Sequence, residues 1–208
     1  MERSATQVAN NFIREISLGL VSVRMSPIAF HLDYFLYPPV IALCIYLNHG
    51  GLGLIATALL FVSGLLAWTL AEYLLHRFVL HGRSVFAKYH QAHHDDPGAM
   101  IAAPPLLSLS LFLMLALLPA ILIIGLRPAL PLFAGFLSGY LAFGAIHQLV
   151  HHSQSHHALI RHFKKFHARH HHGSNSHNFG VLTGFWDRIF GTYEMPNRNR
   201  SKDLRPVR

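Results

Sequence analysis

LLFVSGLLAWTLAEYLLHRFVLH, residues 59–81, runs from an uninterrupted apolar stretch directly into two histidines, His76 and His81. Together with the apolar residues before it, this stretch is long enough to cross a bilayer as a helix. The arrangement recurs further along the chain, where another apolar stretch ends at Ile146 and leads into His147. Two membrane helices are therefore predicted to carry histidines on extensions beyond the bilayer.

The composition is that of a membrane protein. Of the 208 residues, 52% are hydrophobic and only 12% are charged, about half the charged fraction of an ordinary soluble domain. Four spans are predicted, at about 28–48, 52–75, 106–126 and 130–146. The remaining assignments are an amphipathic N-terminal segment (1–27) and a single membrane domain (28–208) whose cap comprises 76–105 and 147–208. The predicted fold class is an all-α integral membrane protein of about four transmembrane helices, capped by a cytosolic, helical, histidine-rich di-metal domain.

The distribution of Lys and Arg predicts the topology. Of the 17 basic residues, only Arg127 falls in a turn between spans. The others flank the spans on one side, which the positive-inside rule assigns to the cytosol. Both termini and all the histidine groups are then cytosolic, with His49 opposite, in the inner membrane of a bacterium or the endoplasmic reticulum of a eukaryote. Because the basic residues follow the membrane flanks, the net charge of +8 does not predict a nucleic-acid partner.

The histidines predict a metal site. There are 18 of them against nine carboxylates, and most fall in four groups: His76 and His81; His90, His93 and His94; His147, His151 and His152; His167, His170, His171 and His172. Spacings of three and four place side chains on one face of a helix. His76 and His81, five apart, diverge by about 140° on an ideal helix, which predicts either different ions or a distorted turn. One ion takes four to six ligands, so about ten candidate imidazoles predict two ions.

The carboxylates near these groups are few. Neither the His-Glu-x-x-His motif of zinc hydrolases nor the Glu-x-x-His pairs of soluble di-iron bundles occur. Glu72, Asp95, Asp96 and Asp187 are instead predicted to accept the far N–H of ligating imidazoles. The single cysteine, Cys44, excludes a disulfide within the chain. A membrane metal-binding or transport protein is the alternative of another class, although the third and fourth spans offer only hydroxyls to a crossing ion.

Four segments taken in order, His76 to His81, His90 to His94, His147 to His152 and His167 to His171, resemble the histidine boxes of the fatty acid hydroxylase and sterol desaturase superfamily. Phe179-Gly180-Val181 and the stretch from Phe185 to Thr192 resemble the C-terminal signature of that family. The resemblance covers about residues 70–193. It implies a non-haem di-iron oxygenase that uses O2 and two electrons to hydroxylate or desaturate an unactivated C–H bond of a fatty acyl, sterol or related lipid. Carotenoid hydroxylase is the alternative within the enzyme class.

The resemblance also implies which residues form the site. Carried over box by box, the ten metal ligands are His76, His81, His90, His93, His94, His147, His151, His167, His170 and His171. Residues implied to support them are His152, His172, His177, Asp95 and Asp187. The implied cofactors are two iron ions, which zinc can replace in purified protein, with O2 as co-substrate.

The implied partners are a membrane lipid and an electron donor. Some family members carry a cytochrome b5 domain with a His-Pro-Gly-Gly motif, which this sequence lacks. A separate donor is therefore expected: cytochrome b5, ferredoxin or a similar protein. The run from Gly98 to Ala103 departs from that of sphingolipid 2-hydroxylases, so the resemblance predicts a lipid substrate without naming the lipid.

Overall fold

The computed structural model describes residues 23–173 and 176–194 of the chain. In chain order its elements are β1 (Val23–Arg24), α1 (Pro27–Phe30), α2 (Asp33–Leu47), α3 (Leu54–Leu74), α4 (Ala87–Asp95), β2 (Ile101–Ala102), α5 (Pro105–Phe112), α6 (Leu118–Ile124), α7 (Leu126–His152), α8 (Ala158–His172) and α9 (Phe185–Ile189). Two π-helical segments, Leu75–Leu80 and Leu113–Leu117, continue α3 and α5. The predicted all-α fold class is confirmed, with a two-residue strand pair as its only departure in the described residues.

Within the described residues, four helices are long and apolar enough to cross a membrane: Pro27–Leu47, Leu54–Leu80, Pro105–Ile124 and Leu126–His152. The fourth differs most from the interval expected from sequence. It begins inside the expected turn, because Gly125 makes the reversal with a φ of 83° and Pro128 is tolerated in the first turn of a helix. Arg127 therefore lies in that first turn, and the helix continues without a break through His147 to His152.

The fourth span, α7, is the centre of the fold. In the most apolar 18-residue stretch of α7, 44% of the residues are buried, whereas the same share is 6–11% in the other three spans. Helix α3 packs closely along it at glycines: a Cβ added to Gly64 would lie 1.9 Å from the Leu132 carbonyl oxygen, and one added to Gly135 would lie 1.9 Å from that of Phe61. Small residues allow such backbone approach between membrane helices. The π-helical continuation of α3 carries His76 and α7 carries His147, so these two histidines are held on neighbouring helices.

Two pairs of polar side chains within the spans are hydrogen-bonded. The Tyr37 and Ser108 hydroxyls lie 2.8 Å apart, and the Tyr140 hydroxyl donates to Asp33 Oδ2 at 2.7 Å. Large apolar side chains face outward instead, such as Leu54 at 84% exposed and Ile123 at 80%. Such a surface is suited to contact with lipid chains.

The predicted amphipathic segment (1–27) lies mostly outside the described residues. Its described end is β1, which pairs antiparallel with β2 so that Val23 faces Ala102 and Arg24 faces Ile101. Arg24 also forms an ion pair with Asp96, at 2.5 Å between Nη2 and Oδ2. These contacts tie the start of the described chain to the segment that follows α4.

Candidate metal centre

The ten histidines that the boxes suggest as ligands lie in two clusters of five. The first cluster is His76, His81, His90, His94 and His170, and the second cluster is His93, His147, His151, His167 and His171. In each cluster, one nitrogen from every histidine lies within 4.8 Å of those from the other four. His152, His172 and His177 lie outside both clusters. Each cluster draws on more than one helix, so neither could form from a single box.

Helix geometry divides the boxes between the clusters. In α4, His90 and His94 belong to the first cluster, whereas His93 belongs to the second. Side chains four apart on a helix differ by about 40° in direction, whereas those three apart differ by about 60° the other way. The same division occurs in α8, where His170 and its neighbour His171 belong to different clusters. Histidines four apart therefore share a cluster, whereas histidines three apart do not, a difference that the sequence-based expectation of one shared face did not include.

The pair five residues apart is brought together by a distorted turn. His76 lies in the π-helical segment Leu75–Leu80 and His81 follows it directly; the His81 N–H donates to the His76 carbonyl at 3.1 Å. This i to i+5 hydrogen bond widens the helix turn. The two ring centroids consequently lie 5.1 Å apart, and both residues join the first cluster. Of the two possibilities raised by their spacing, the structure has the distorted turn.

The nitrogen spacing fits ions with more than four ligands. In the first cluster, Nε2 of His76 lies 2.9 Å from Nε2 of His90, and in the second cluster Nε2 of His147 lies 3.1 Å from Nε2 of His167. For metal–nitrogen bonds of about 2.1 Å, adjacent corners of an octahedron are about 3.0 Å apart and corners of a tetrahedron about 3.4 Å. Five imidazoles also exceed the four ligands of a structural zinc site. The donor set and its spacing therefore fit a five- or six-coordinate ion in each cluster.

Backbone carbonyls fix the orientation of two imidazoles in the first cluster. Nδ1 of His170 donates to the His177 carbonyl at 2.9 Å, and Nδ1 of His76 donates to the Phe179 carbonyl. A carbonyl can only accept, so Nδ1 carries the proton in both rings and the Nε2 lone pair remains free. These lone pairs converge and repel one another unless a cation lies between them. Such N–H contacts are typical of the groups that support metal-binding histidines.

Four cluster imidazoles outside the spans are held neutral. Burial, with a contribution from the neighbouring imidazoles, lowers the pKa of His81 to about 4, of His93 and of His170 to about 3, and of His171 to about 2. These values lie below the ordinary histidine pKa of about 6.5. Because a histidine must be deprotonated to bind a metal, these four are ready to act as ligands at neutral pH.

Two buried carboxylates hold the loop that supplies the carbonyls. Asp187 accepts hydrogen bonds from the backbone N–H groups of Phe179 at 2.8 Å and Gly180 at 2.9 Å. Glu72 accepts from the N–H groups of Val181 and Leu182 through its Oε1. The sequence-based expectation that these acids accept directly from imidazoles was wrong in this respect. They contact the backbone of the loop instead, and so position the Phe179 carbonyl that accepts from His76.

The other residues that were predicted to support the ligands have different contacts. Asp95 accepts from Gln91 at 3.0 Å, and Asp96 pairs with Arg24. His152 follows His151 at the end of α7, and the His172 ring lies 6.3 Å from that of His171. His177 contributes its carbonyl to His170.

Asn178 was missed by the sequence analysis. It is fully buried, adopts a φ of 57°, and bonds to Glu194 through both its side-chain oxygen and nitrogen. Asparagine tolerates this left-handed backbone better than most residues. An asparagine directly before Phe179 is therefore the sequence signal that could have revealed this turn.

An apolar cavity of about 240 Å³ adjoins both clusters. Its histidines are His76 and His90 from the first cluster and His93 and His147 from the second. Most of the other lining side chains are apolar or aromatic, among them Trp68, Leu75, Leu80, Phe86 and Phe143. A lipid chain in this cavity would lie against both clusters.

Asp187→Asn should weaken the first cluster. The asparagine oxygen can keep one loop N–H, but the NH2 group would face the other, and an unpaired buried donor costs about 1–3 kcal/mol. We expect the first cluster to lose metal affinity by about 10–100-fold, measured by metal analysis during dialysis against a chelator. Asp95→Asn is the control and should behave as the wild type. Equal metal loss in the two variants would contradict this role for Asp187.

These features define a class: a helical membrane protein with two five-histidine clusters at one end of its spans. Residues 61–192 match the family described as fatty acid hydroxylase, which is more than half of the chain. The chain therefore belongs to the fatty acid hydroxylase family, and the resemblance noted in its sequence is confirmed.

Individual relatives agree. The ceramide very long chain fatty acid hydroxylase SCS7 of Saccharomyces cerevisiae is 34% identical over 184 residues, covering 79% of this chain and 47% of that protein. The dihydroceramide fatty acyl 2-hydroxylase FAH2 of Arabidopsis thaliana is 33% identical over 144 residues, covering 64% and 60%. The fatty acid 2-hydroxylase of Rattus norvegicus is 32% identical, covering 64% and 39%. The chain thus spans between about two fifths and three fifths of the lengths of these relatives.

A solved structure shares the fold. It is described as full-length scs7p with only the hydroxylase domain visible, and it superposes with a TM-score of 0.70 at 27% sequence identity. The match covers 81% of this chain and 68% of that one.

Proposed function

We propose that this protein is an O2-dependent di-iron hydroxylase that acts on the acyl chain of a membrane lipid. The observation that carries the proposal is the apolar cavity whose wall includes histidines of both clusters. A saturated carbon chain offers nothing but apolar contact, and a cavity of this character accepts it. The same cavity holds the chain where two metal-binding groups can act on one carbon.

The proposed cofactors are two iron ions, one in each cluster. Imidazole binds iron as well as zinc, copper or nickel, and the octahedral nitrogen spacing supports an ion that takes more than four ligands. When bound, the iron pair supplies the oxidising power for C–H cleavage with O2. In the overall reaction one oxygen atom enters the C–H bond, and the other leaves as water with two electrons from the donor and two protons.

The residues of the chain position the substrate and exclude water. Leu75, Leu80 and Phe86 offer an apolar wall along which an acyl chain can lie. Phe179 is 3% exposed, and its ring centroid lies 5.6 Å from that of His170, so it covers one side of the first cluster. Exclusion of water protects a strong oxidant from side reactions.

The relatives narrow the substrate. They are named as hydroxylases of ceramide, dihydroceramide or fatty acid, and several as 2-hydroxylases. We propose the same class of reaction here: hydroxylation of an acyl chain at the carbon next to its carbonyl. This assignment is preferred to carotenoid hydroxylation, to desaturation and to metal transport, because none of these relatives carries such a name.

The electron donor is proposed to be a separate protein, cytochrome b5, ferredoxin or similar, that reaches the clusters from the cytosol. We propose that both termini and both clusters lie on that side, since the basic residues flank the spans there. In a Cys44→Ser background, labelling of His49→Cys and of Ile160→Cys with an impermeant reagent should report opposite sides of the membrane. Labelling of both from one side would contradict this topology.

Lipid mass spectrometry tests the reaction. Iron-loaded protein, supplied with an electron donor, O2 and a membrane extract, should yield acyl lipids heavier by one oxygen atom. With ¹⁸O2 the added oxygen should carry the label. Products lighter by two hydrogens would indicate desaturation, and the absence of any oxidised lipid would contradict the proposal.

A further inference from the structure

A second cavity, of about 270 Å³, lies between α8 and the segments around α9. Its apolar wall includes Leu159, Phe163, Phe166 and Leu182, and its polar groups include His162 and Arg188. Of the described residues, only Val181 lines both this cavity and the one beside the metal clusters. The volume approaches the roughly 300–1,000 Å³ of sites for small organic ligands. The second cavity is therefore a candidate binding site distinct from the proposed substrate site.

Arg188 gives the second cavity a fixed positive charge. Its Nη1 donates to the Gly184 carbonyl at 3.3 Å, and its guanidinium carbon lies 3.9 Å from the centre of the Tyr193 ring. Both contacts orient the guanidinium without neutralising it, and none of the described lining residues is an Asp or Glu. A guanidinium carries five N–H donors in a geometry that matches a phosphate group. The cavity is therefore suited to an anion, and the His162 ring adds a further N–H donor.

The surroundings of the second cavity are apolar and lie against the membrane helices. The Trp186 indole N–H donates to Thr69 at 3.0 Å, and Thr69 belongs to the span Leu54–Leu80. Phe185 and Ile189 of α9 are 53% and 55% exposed. Aromatic rings at a membrane surface lie at the level of the lipid headgroups, where Arg side chains reach the phosphates. Interfaces between proteins have a polar rim, so these surroundings favour a lipid over an acidic protein.

The walls of the second cavity belong to segments that hold the metal ligands. Phe166 directly precedes His167 of the second cluster in α8. Val181 belongs to the loop whose Phe179 carbonyl accepts from His76 of the first cluster. A ligand that packs against Phe166 and Val181 would therefore restrict the movement of both segments.

We propose that the second cavity binds one molecule of an anionic phospholipid, which stabilises the metal-binding fold without being oxidised. The lipid phosphate accepts hydrogen bonds from Arg188 and His162. Part of an acyl chain lies along Leu159, Phe163 and Phe166. Phosphatidylcholine has the same phosphate, but its positive ammonium group is unfavourable beside the guanidinium, and inorganic phosphate lacks the apolar contacts. The inference goes beyond the proposed function and does not depend on it.

Titration calorimetry of metal-loaded protein in detergent tests the site without turnover. The ligands are dioctanoyl phosphatidic acid, dioctanoyl phosphatidylcholine and inorganic phosphate, and polyglutamate represents an acidic protein. The wild type should bind phosphatidic acid at a single site, at least about tenfold more tightly than it binds the other three ligands.

Two variants alter the site in different ways. Arg188→Gln removes the charged donors and should weaken binding of phosphatidic acid by about 10–100-fold. Leu159→Glu places a carboxylate at the rim and should weaken it by about tenfold. Leu159 is 57% exposed and lies in the first turn of α8, where an acidic side chain favours the helix, so this variant should stay folded. The matched controls Arg161→Gln and Ala158→Glu make the same charge changes on α8 outside the cavity lining, and both should bind phosphatidic acid as the wild type does.

Binding should also stabilise the protein. A ligand that binds only the folded state stabilises that state. Saturating phosphatidic acid should therefore raise the thermal unfolding midpoint of the wild type and slow its loss of metal to a chelator. Both effects should be smaller in Arg188→Gln and Leu159→Glu at the same lipid concentration.

Equal affinity for phosphatidic acid and phosphatidylcholine would overturn the inference, as would equal binding of phosphatidic acid by Leu159→Glu and Ala158→Glu. Tighter binding of polyglutamate would assign the cavity to an acidic protein instead. Inorganic phosphate bound as tightly as the lipid would reduce it to an anion site without an acyl chain. Metal content and the unfolding midpoint without lipid show whether Arg188→Gln folds, and Leu159→Glu decides the matter if it does not.

Discussion

Single alanine replacements in the two clusters should abolish lipid hydroxylation and each remove one metal ion. His94→Ala and His170→Ala alter the first cluster, whereas His93→Ala and His171→Ala alter the second. We expect about two ions per wild-type chain and about one in each variant, because one cluster keeps all five imidazoles. Product should fall below detection in all four, since the proposed reaction needs both ions. Metal analysis after iron loading and lipid mass spectrometry provide the measurements.

Double variants test the division into clusters most sharply. His94→Ala with His170→Ala removes two ligands from one cluster and should leave about one ion. His93→Ala with His94→Ala affects neighbouring residues in different clusters and should leave about none. Equal metal content in the two double variants would contradict the division.

Two further variants complete the test of catalysis. His49→Ala, outside both clusters, is the control and should retain full hydroxylation activity. His152→Ala tests a supporting role next to the ligand His151, and such a role predicts a loss of hydroxylation activity of about 10–100-fold. Wild-type product formation by His94→Ala or His170→Ala would rule out the oxygenase assignment.

Gly64→Ala should strongly destabilise the protein. The added Cβ would lie 1.9 Å from the Leu132 carbonyl oxygen and 2.8 Å from the Phe136 nitrogen, so the backbones of α3 and α7 must separate. Overpacking of this kind costs about 1–3 kcal/mol of unfolding free energy, and we expect the upper end because the contacts are with backbone. Gly135→Ala should act alike, since its Cβ would meet the Phe61 carbonyl oxygen.

Gly53→Ala is the matched control for these variants. It precedes α3, and its added Cβ would have no atom within 4 Å. The thermal unfolding midpoint in detergent and the retained metal content provide the readouts. We expect metal loss to accompany the loss of stability, because the π-helical continuation of α3 carries His76 and α7 carries His147. A Gly64→Ala protein as stable as Gly53→Ala would contradict the close packing.

The sequence by itself determined the features that depend on neighbouring residues. Apolar runs the length of a bilayer predict spans because lipid leaves a backbone no other hydrogen-bonding partner. Histidines that follow directly after such runs, as His76 follows Leu75, predict a site at the ends of the helices. The boxes and the C-terminal signature also carried the family resemblance, and the helices that cross the membrane were recognisable without the structure.

Tertiary structure decided how these local features combine. His93 and His94 are adjacent in sequence, but a turn of about 100° per residue directs them towards different partners on α7, α8 and the π-helical segment. Likewise, Glu72 and Asp187 are far apart in the chain, and only the folded loop between Phe179 and Leu182 gives them a shared role. Spacing within one helix specifies the direction of a side chain. Which residue it meets depends on long-range packing, here the approach of α3 and α7 at Gly64 and Gly135.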